Sequence, residues 1–437
     1  MATRWLYAWG VSSVAFGGAS LIVPLYVVHL GGDPVTLGVL AAVAAFVGVP
    51  GALVCGRIAD KTGKRRGLVL SMLGLVAVML VATALTDSVG VVIGLNGAIW
   101  FGFAAGTPVV TLLAVADAAE AEWSERIGQL NKYQGVGWAL GLLLGVIWTA
   151  LGARLLPAEA VLTGFIFVLG SCAVVGFLLG LRYLPSDAAV GPPPSGPQLR
   201  RALRRADRFS VRTATFPFTL ARADFRGLHP DTLRERFTPA LALYFGAVFV
   251  FFAGFSAFFA PLPAFLTDTG FSSNQIFLLY LINSLGAAVF FGAAGGLATK
   301  YGVTRLQVAG LVGRAIALPL VALAGLTFGT TAVGFGLLAI LCALIGVTWA
   351  VIAVTAGTLV TQLAPTAIRG EALGVYAALG ACAGGVGSIL GGWLAASSYL
   401  VAFTSAGGLV LVGAVGVLEL CRRLAVERTA VAIGSHS

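Results

Sequence analysis

Long apolar stretches separated by short polar segments dominate the chain. A helix needs about 20 apolar residues to cross the hydrocarbon core of a bilayer, and twelve stretches reach or approach that length. The pattern therefore predicts twelve transmembrane helices, six on each side of a polar central segment. Their predicted bounds are Trp5–Leu30, Val35–Ala59, Leu68–Leu85, Val89–Ala116, Lys132–Leu151, Ala160–Tyr183, Pro239–Leu266, Asn274–Ala298, Leu306–Phe328, Thr331–Val360, Ala372–Ala396 and Leu400–Leu420.

Composition agrees with a membrane protein. Hydrophobic residues make up 59% of the 437 residues and charged residues only 10%, against about 25% charged in soluble domains. The apolar run that begins at Trp5 is too long for the apolar core of a signal peptide, which has about 7–15 residues. We therefore expect it to be an uncleaved first helix.

The basic residues indicate the orientation. If the N-terminus is cytoplasmic and each span crosses once, all of the 27 Lys and Arg residues except Arg154 fall on the cytoplasmic side or near it. This asymmetry is typical of multi-pass proteins and predicts a plasma-membrane protein with both termini in the cytoplasm. Arg314 lies well inside the ninth span, and its side chain is expected either to reach the interface or to be a buried functional charge.

The two halves of the chain resemble each other. At one constant offset, aromatic, proline, glycine and arginine positions recur: Phe16 and Phe255, Pro24 and Pro263, Gly56 and Gly295, Gly63 and Gly302, Arg66 and Arg305. At a slightly larger offset Arg126 corresponds to Arg369 and Gly141 to Gly384. We therefore predict an all-α polytopic membrane protein with two pseudo-symmetric six-helix bundles.

This repeat gives the domain boundaries. The bundles are expected at 1–185 and 239–421, joined by a cytoplasmic linker at 186–238 and followed by a cytoplasmic tail at 422–437. The linker opens with a segment rich in Pro and Gly and continues with six arginines. It is interpreted either as an interfacial helix against anionic lipid or as a disordered tether. The arginines are Arg200, Arg201, Arg204, Arg205, Arg208 and Arg212.

The loop after the second span carries the most specific motif. Residues 56–66 combine Gly56, Asp60 and Gly63 with basic residues. The segment resembles the signature of the major facilitator superfamily at every defined position and in the corresponding loop. The resemblance implies a transporter that works by alternating access, in which Asp60 latches the bundles together near Gly370 and Glu371. The gating residues that it implies are Gly56, Asp60, Lys61, Gly63, Arg65, Arg66, Arg126 and Arg369.

The resemblance also implies where the solute binds. In the family, the first, fourth, seventh and tenth helices line a central cavity, helped by the second, fifth, eighth and eleventh. Polar or aromatic residues near the middle of such spans are the cavity candidates: Ser13, Asn96, Trp100, Trp138, Asn283 and Trp349. Each could instead serve in helix packing. No Asp, Glu or His lies at the middle of a predicted span, so the pattern gives no support to proton coupling. An uncharged midplane with aromatic residues favours a neutral, weakly polar or lipophilic substrate over a multivalent anion.

The predicted function is secondary active or facilitative transport of a small solute, with efflux of a lipophilic or neutral compound as the first hypothesis. A sugar or metabolite uptake permease and a non-transporting membrane sensor are the alternatives. The spans lack converging nucleophiles, acids or metal ligands, and the five cysteines are scattered. We therefore expect no enzyme activity, cofactor, metal or nucleic-acid partner. We expect a monomer whose partners are its solute and membrane lipid, with a coupling ion left open.

Overall fold

The structure, a computed structural model, describes residues 4–115, 122–187, 238–365 and 368–434. Within these ranges all regular secondary structure is helical, with thirteen α-helices. They are α1 (Trp5–His29), α2 (Pro34–Thr62), α3 (Arg65–Ala84), α4 (Val89–Val115), α5 (Trp123–Gly152), α6 (Ala158–Tyr183), α7 (Pro239–Phe259), α8 (Leu262–Asp268), α9 (Ser273–Tyr301), α10 (Val303–Phe328), α11 (Ala332–Leu363), α12 (Arg369–Ser397) and α13 (Tyr399–Gly434).

These helices confirm the predicted twelve spans. In the described part of the chain, eleven segments are long and apolar enough to cross a bilayer, and α7 and α8 together form one of them. The remaining span is α2, a 29-residue helix whose stretch Pro34–Gly48 is apolar. The protein is therefore all-helical, with α1–α6 in one bundle and α7–α13 in the other.

Three boundaries differ from the prediction. The last helix, α13, continues to Gly434 rather than ending at Leu420. The seventh span is interrupted between α7 and α8, where Pro261 and Pro263 lack the amide hydrogens that a continuous helix requires. The fifth span begins at Trp123 rather than at Lys132. A helix satisfies its own backbone hydrogen bonds, so it can continue through polar residues beyond the hydrocarbon. Apolar length therefore predicts the membrane crossing but not the helix end.

Local sequence signals set several helix ends. Asp33 caps α2 because its Oδ1 accepts hydrogen bonds from the Thr36 amide at 2.8 Å and the Thr36 hydroxyl at 2.5 Å. These bonds stabilise the charged carboxylate and lower the pKa of Asp33. At the other end of α2, Gly63 has φ +67°, and the corresponding Gly302 between α9 and α10 has φ +85°. Both turns use a backbone conformation that favours glycine, so the repeat extends to loop geometry.

Within each bundle, glycines bring the fifth span into backbone contact with the first, and these contacts correspond between the two bundles. A Cβ atom on Gly137 or Gly141 of α5 would lie 2.2 Å from a carbonyl oxygen of α1. In the second bundle, a Cβ atom on Gly387 or Gly391 of α12 would lie 2.1 Å from a carbonyl oxygen of α7. Small residues at such positions allow the close helix packing on which membrane proteins depend.

Charge distinguishes the two faces of the molecule. The "basic face" is the one that carries the α2–α3 connection with Lys64 and Arg66, together with the start of α1 and the end of α6. At the opposite face, where α1, α3, α5 and α7–α8 end, Arg154 is the only Lys or Arg among the described residues. The basic residues are therefore concentrated at one face, as the sequence predicts.

We predict that Gly141→Ala destabilises the protein by about 1–3 kcal/mol or more, because the added methyl group overlaps the backbone of α1. Gly128→Ala, on the same helix, is the matched control, since a Cβ atom there meets nothing within 4 Å. Thermal unfolding of both purified variants in detergent would measure the difference. Equal unfolding temperatures would contradict the packing described here.

Candidate functional site

A cavity of about 150 Å³ lies between the two bundles. Its walls include residues of α1, α2, α4 and α5 from the first bundle and of α7–α12 from the second. Three lining residues, Trp138, Arg314 and Trp349, lie close to the middle of their helices. The cavity is therefore near the centre of the membrane and contacts both halves of the molecule.

Contacts between the bundles close the cavity toward the opposite face. On α2 and α12, a Cβ atom on Gly38 would lie 2.5 Å from the Ser388 oxygen, and one on Gly392 would lie 2.5 Å from the Pro34 oxygen. Closer to the cavity, a Cβ atom on Gly385 would lie 2.4 Å from the Phe46 ring. These two helices are in contact from the opposite face to the level of the cavity.

A second contact joins α5 to α9. A Cβ atom on Gly145 would lie 2.4 Å from the Phe277 ring, and this ring also meets Phe165 of α6 edge-on, with centroids 5.5 Å apart. Phe277 is in the first turns of α9 and Gly145 in the last turns of α5. The bundles are thus held together on the side of the cavity away from the basic face.

Five of the six residues named from the sequence line the cavity. Trp100 and Trp138 face it from the first bundle with ring centroids 6.2 Å apart, and Trp349 faces it from the second. Asn96 and Asn283 also contribute to its walls. The aromatic side chains give the cavity flat apolar surfaces, and the two amides add hydrogen-bonding groups.

Ser13 is placed differently. It is fully buried, its hydroxyl donates a 2.7 Å hydrogen bond to the Trp9 carbonyl oxygen, and its Cβ would lie 2.8 Å from a Cβ on Gly137. It belongs to the α1–α5 contact and not to the cavity wall. The position of Ser13 near the middle of its span does not indicate on which side of α1 its side chain lies.

Arg314 is the charged residue of the cavity wall. Its side chain is 1% exposed, so it does not extend to the interface. The guanidinium carbon lies 4.3 Å from the ring centroid of Phe255, 5.6 Å from that of Trp349 and 5.8 Å from that of Phe259. Of the two interpretations drawn from the sequence, the structure therefore supports a buried charge.

Buried polar atoms without hydrogen-bond partners concentrate at the cavity. Six described residues carry such atoms, and four of the six line it. All four belong to the second bundle, and two other residues, Arg65 and Gln134, lie elsewhere. The cavity atoms are Ser256 Oγ, Asn283 Oδ1, Arg314 Nε and Nη1, and Trp349 Nε1.

The gating residues implied by the motif are only partly described. Gly56, Asp60 and Lys61 lie in the last turns of α2 and Arg369 at the start of α12, but their side chains lie outside the described residues. Gly63 forms the turn expected of it. Arg65 is 2% exposed, and its Nε and Nη1 have no partner in the described part of the chain.

Two of the described basic residues bond within their own bundle. Arg66 donates from Nη2 to the Leu181 oxygen at 2.5 Å, and its backbone amide donates to Asp187 at 2.8 Å. Arg126 Nη2 lies 3.8 Å from Oε2 of Glu122, the N-cap residue of the same helix, α5. Among the described residues, neither arginine forms a hydrogen bond or ion pair with the other bundle.

Comparison with known proteins identifies the fold. The sequence model described as Major Facilitator Superfamily matches residues 6–381 and, in a second match, 244–432. No curated protein matches the sequence significantly.

Three similar solved structures show the same fold. Nucleoside transporter NupG has 14% identity and a TM-score of 0.68, with 96% of this chain and 98% of that chain covered. A POT family transporter in complex with a thioalcohol-conjugated peptide has 15% identity and a TM-score of 0.70, with 97% and 96% covered. The human organic anion transporter MFSD10 (TETRAN) has 17% identity and a TM-score of 0.56, with 95% and 98% covered.

We predict that Ser256→Ala leaves the stability of the solute-free protein unchanged or raises it, because the Ser256 hydroxyl is buried without a partner. Ser13→Ala is the matched control and should lower stability by about 1 kcal/mol, since it removes a made hydrogen bond. Thermal unfolding in detergent compares the two. A larger loss for Ser256→Ala than for Ser13→Ala would show that Ser256 is bonded.

Proposed function

The chain belongs to the major facilitator superfamily, and from this premise we propose that it is a secondary or facilitative transporter. In this proposal the cavity between the bundles holds a small solute near the centre of the bilayer. Rotation of one bundle against the other then exposes the solute to alternate sides. Membership of the family, together with similar structures of transporters, points to transport rather than to an enzyme reaction.

The observation that carries the proposal is the closure of the cavity toward the opposite face. The contacts at Gly38, Gly392 and Gly145 lie between the cavity and the opposite face. Alternating access requires a second conformation in which these contacts separate and the bundles meet at the basic face instead. Packed helices change between discrete arrangements in this way because close packing resists intermediate positions.

The proposal also includes the orientation of the protein in the membrane and the direction of transport. The positive-inside rule supports a cytoplasmic basic face, and the closed contacts then lie on the outer side. Efflux and uptake use the same movement, so flux measurements in both directions decide between them. A sensor would bind its solute without flux.

The solved structures with this fold include a nucleoside transporter, a transporter bound to a peptide conjugate and an organic anion transporter. At 14–17% identity they support the fold and leave the solute open. The cavity itself favours a small solute with an apolar, preferably aromatic, body because Trp100, Trp138 and Trp349 form its walls.

The gating role of Asp60 is part of the same proposal. Its position near the end of α2, close to basic residues and to the start of α12 in the family pattern, suits a latch that forms when the basic face closes. An acid there can accept charge-assisted hydrogen bonds or lie against a helix N-terminus. The latch should then affect the rate of exchange and not the fold.

We predict that proteoliposomes with the purified protein exchange at least one labelled solute from a panel of nucleosides, dipeptides, sugars, aryl carboxylates and neutral aromatic compounds. Asp60→Asn should slow this exchange by roughly ten- to hundredfold, since a charge-assisted contact is typically worth about 1.5–3 kcal/mol, while unfolding temperature is unchanged. Glu159→Gln, at the opposite face, is the control and should transport normally. Absence of flux for every class would refute transport, and normal flux in Asp60→Asn would refute the latch.

We further predict that Gly38→Val separates the bundles at the opposite face, because its side chain overlaps the backbone of α12. Spin labels at the exposed positions Leu85 and Val333 would report a longer distance between bundles by electron paramagnetic resonance. Gly94→Val is the matched control, since a Cβ atom there meets nothing within 4 Å. The same distance distribution in both variants would argue against this closure.

A further inference from the structure

The wall that the second bundle contributes to the cavity has an unusual electrostatic character. Ser256, Asn283, Arg314 and Trp349 come from four different helices, α7, α9, α10 and α11, and converge on the same cavity. Each carries a buried polar atom that no group in the described residues satisfies. Three of these groups can donate a hydrogen bond, and one of them carries a full positive charge.

Arg314 has no acidic partner in the described part of the chain. Among the described residues no Asp or Glu forms an ion pair or hydrogen bond with it, and its Nε and Nη1 are without acceptors. The rings of Phe255, Phe259 and Trp349 surround the guanidinium. Aromatic faces attract a cation, but they offer no acceptor comparable to a carboxylate oxygen.

A buried cation in this state is unfavourable unless something pairs with it. Transfer of a charged side chain out of water carries a large desolvation penalty, and cation–π contacts offset only part of it. Ionisable residues inside membrane proteins accordingly face cavities and mark solute or ion pathways. The missing partner of Arg314 is then supplied from outside the protein, through the cavity that Arg314 lines.

The first bundle has no equivalent charge. At the offset that relates Arg66 to Arg305, the position that corresponds to Arg314 is Leu75. The first bundle instead presents Trp100, Trp138 and apolar residues of α2 to the cavity, with the Asn96 amide and the Ser20 hydroxyl as its neutral polar groups. One wall can therefore bind a negative group while the other contacts an apolar body.

We propose that the cavity binds an organic anion with a single negative group, most suitably a carboxylate, attached to an apolar aromatic body. The anionic oxygens pair with the Arg314 guanidinium, with the Ser256 hydroxyl and the Trp349 indole N–H as neighbouring donors. The aromatic body lies against Trp100 and Trp138. This inference rests on the proposed function only in taking the cavity as the solute site, and it replaces the neutral solute expected from the sequence.

A binding experiment with matched probes tests the proposal independently of flux. Phenylacetate is compared with phenylacetamide, and acetate and naphthylacetate with their amides, by calorimetry on protein in a neutral detergent. At least one carboxylate should bind at least about tenfold more tightly than its amide, because only the carboxylate forms a charge-assisted pair. Arg314→Gln should remove this difference and leave amide binding unchanged.

Two further variants control for charge and for geometry. Arg305→Gln lies on the same helix, near the basic face, and should keep the full preference for carboxylates. Arg314→Lys keeps the charge but lacks the planar fork, so it should show an intermediate preference. Equal binding of carboxylates and amides, a preference that survives in Arg314→Gln, or no binding of any carboxylate would overturn the proposal.

Stability gives a test that needs no ligand. Because Arg314 is an unpaired buried charge, Arg314→Met should keep or raise the unfolding temperature of the solute-free protein. A clear decrease would mean that Arg314 is a structural residue and would overturn the proposal. Selective binding of carboxylates without any flux in proteoliposomes would instead refute the transporter and retain the anion site.

Discussion

The hydrocarbon interior of a bilayer offers no hydrogen-bond partners, and this constraint organises the whole structure. Every backbone amide and carbonyl must be satisfied within the protein, which leaves the helix as the element for a chain of this kind. Hydroxyl side chains follow the same rule. Ser12, Thr107, Thr149 and Thr355 each donate to the carbonyl oxygen four residues earlier in their own helix. Buried polar atoms without such a hydrogen bond are therefore exceptions, and in the described part of the chain most of them surround one cavity.

The two bundles share the same helix packing but contribute different side chains to the cavity. Glycine contacts between α1 and α5 recur between α7 and α12, and the turns at Gly63 and Gly302 share a positive φ. These features hold each bundle as a rigid body, which a rocking movement requires. The cavity walls have diverged, since the first bundle supplies indole rings and the second supplies Arg314 with three neutral polar groups. In the proposed mechanism, pseudo-symmetry serves the movement of the bundles, and the difference between the cavity walls serves recognition of the solute.

The conformation also separates residues that hold a bundle together from those that join the bundles. Arg66 and Arg126 bond within the first bundle, whereas Gly38, Gly145 and Gly392 permit contact between the bundles. A substitution of the first kind should affect folding, and one of the second kind should affect the balance between conformations. In the proposed mechanism, the motif residues near the basic face act in the state in which that face is closed.

The amino-acid sequence alone determined the number of spans, their order, the separation of charge between the faces and the repeat of six helices. These properties depend on apolar length and on loop charge, which are local and additive along the chain. Together with the resemblance to the major facilitator superfamily, which implies which helices line a central cavity, it also placed Asn96, Trp100, Trp138, Asn283 and Trp349 there, because few amide or indole side chains occur near the middle of those spans.

Only the tertiary structure decided which way individual side chains point. The spans are apolar on nearly every side, so periodicity does not distinguish the side of α1 that carries Ser13 from the side that lines the cavity. The same holds for Arg314, whose long side chain could have reached the interface from its position on α10. The rings of Phe255, Phe259 and Trp349, from two other helices, enclose it instead. Side-chain direction is set by packing between helices distant in sequence, and this placed a positive charge at the centre of the membrane where the sequence had indicated a neutral site.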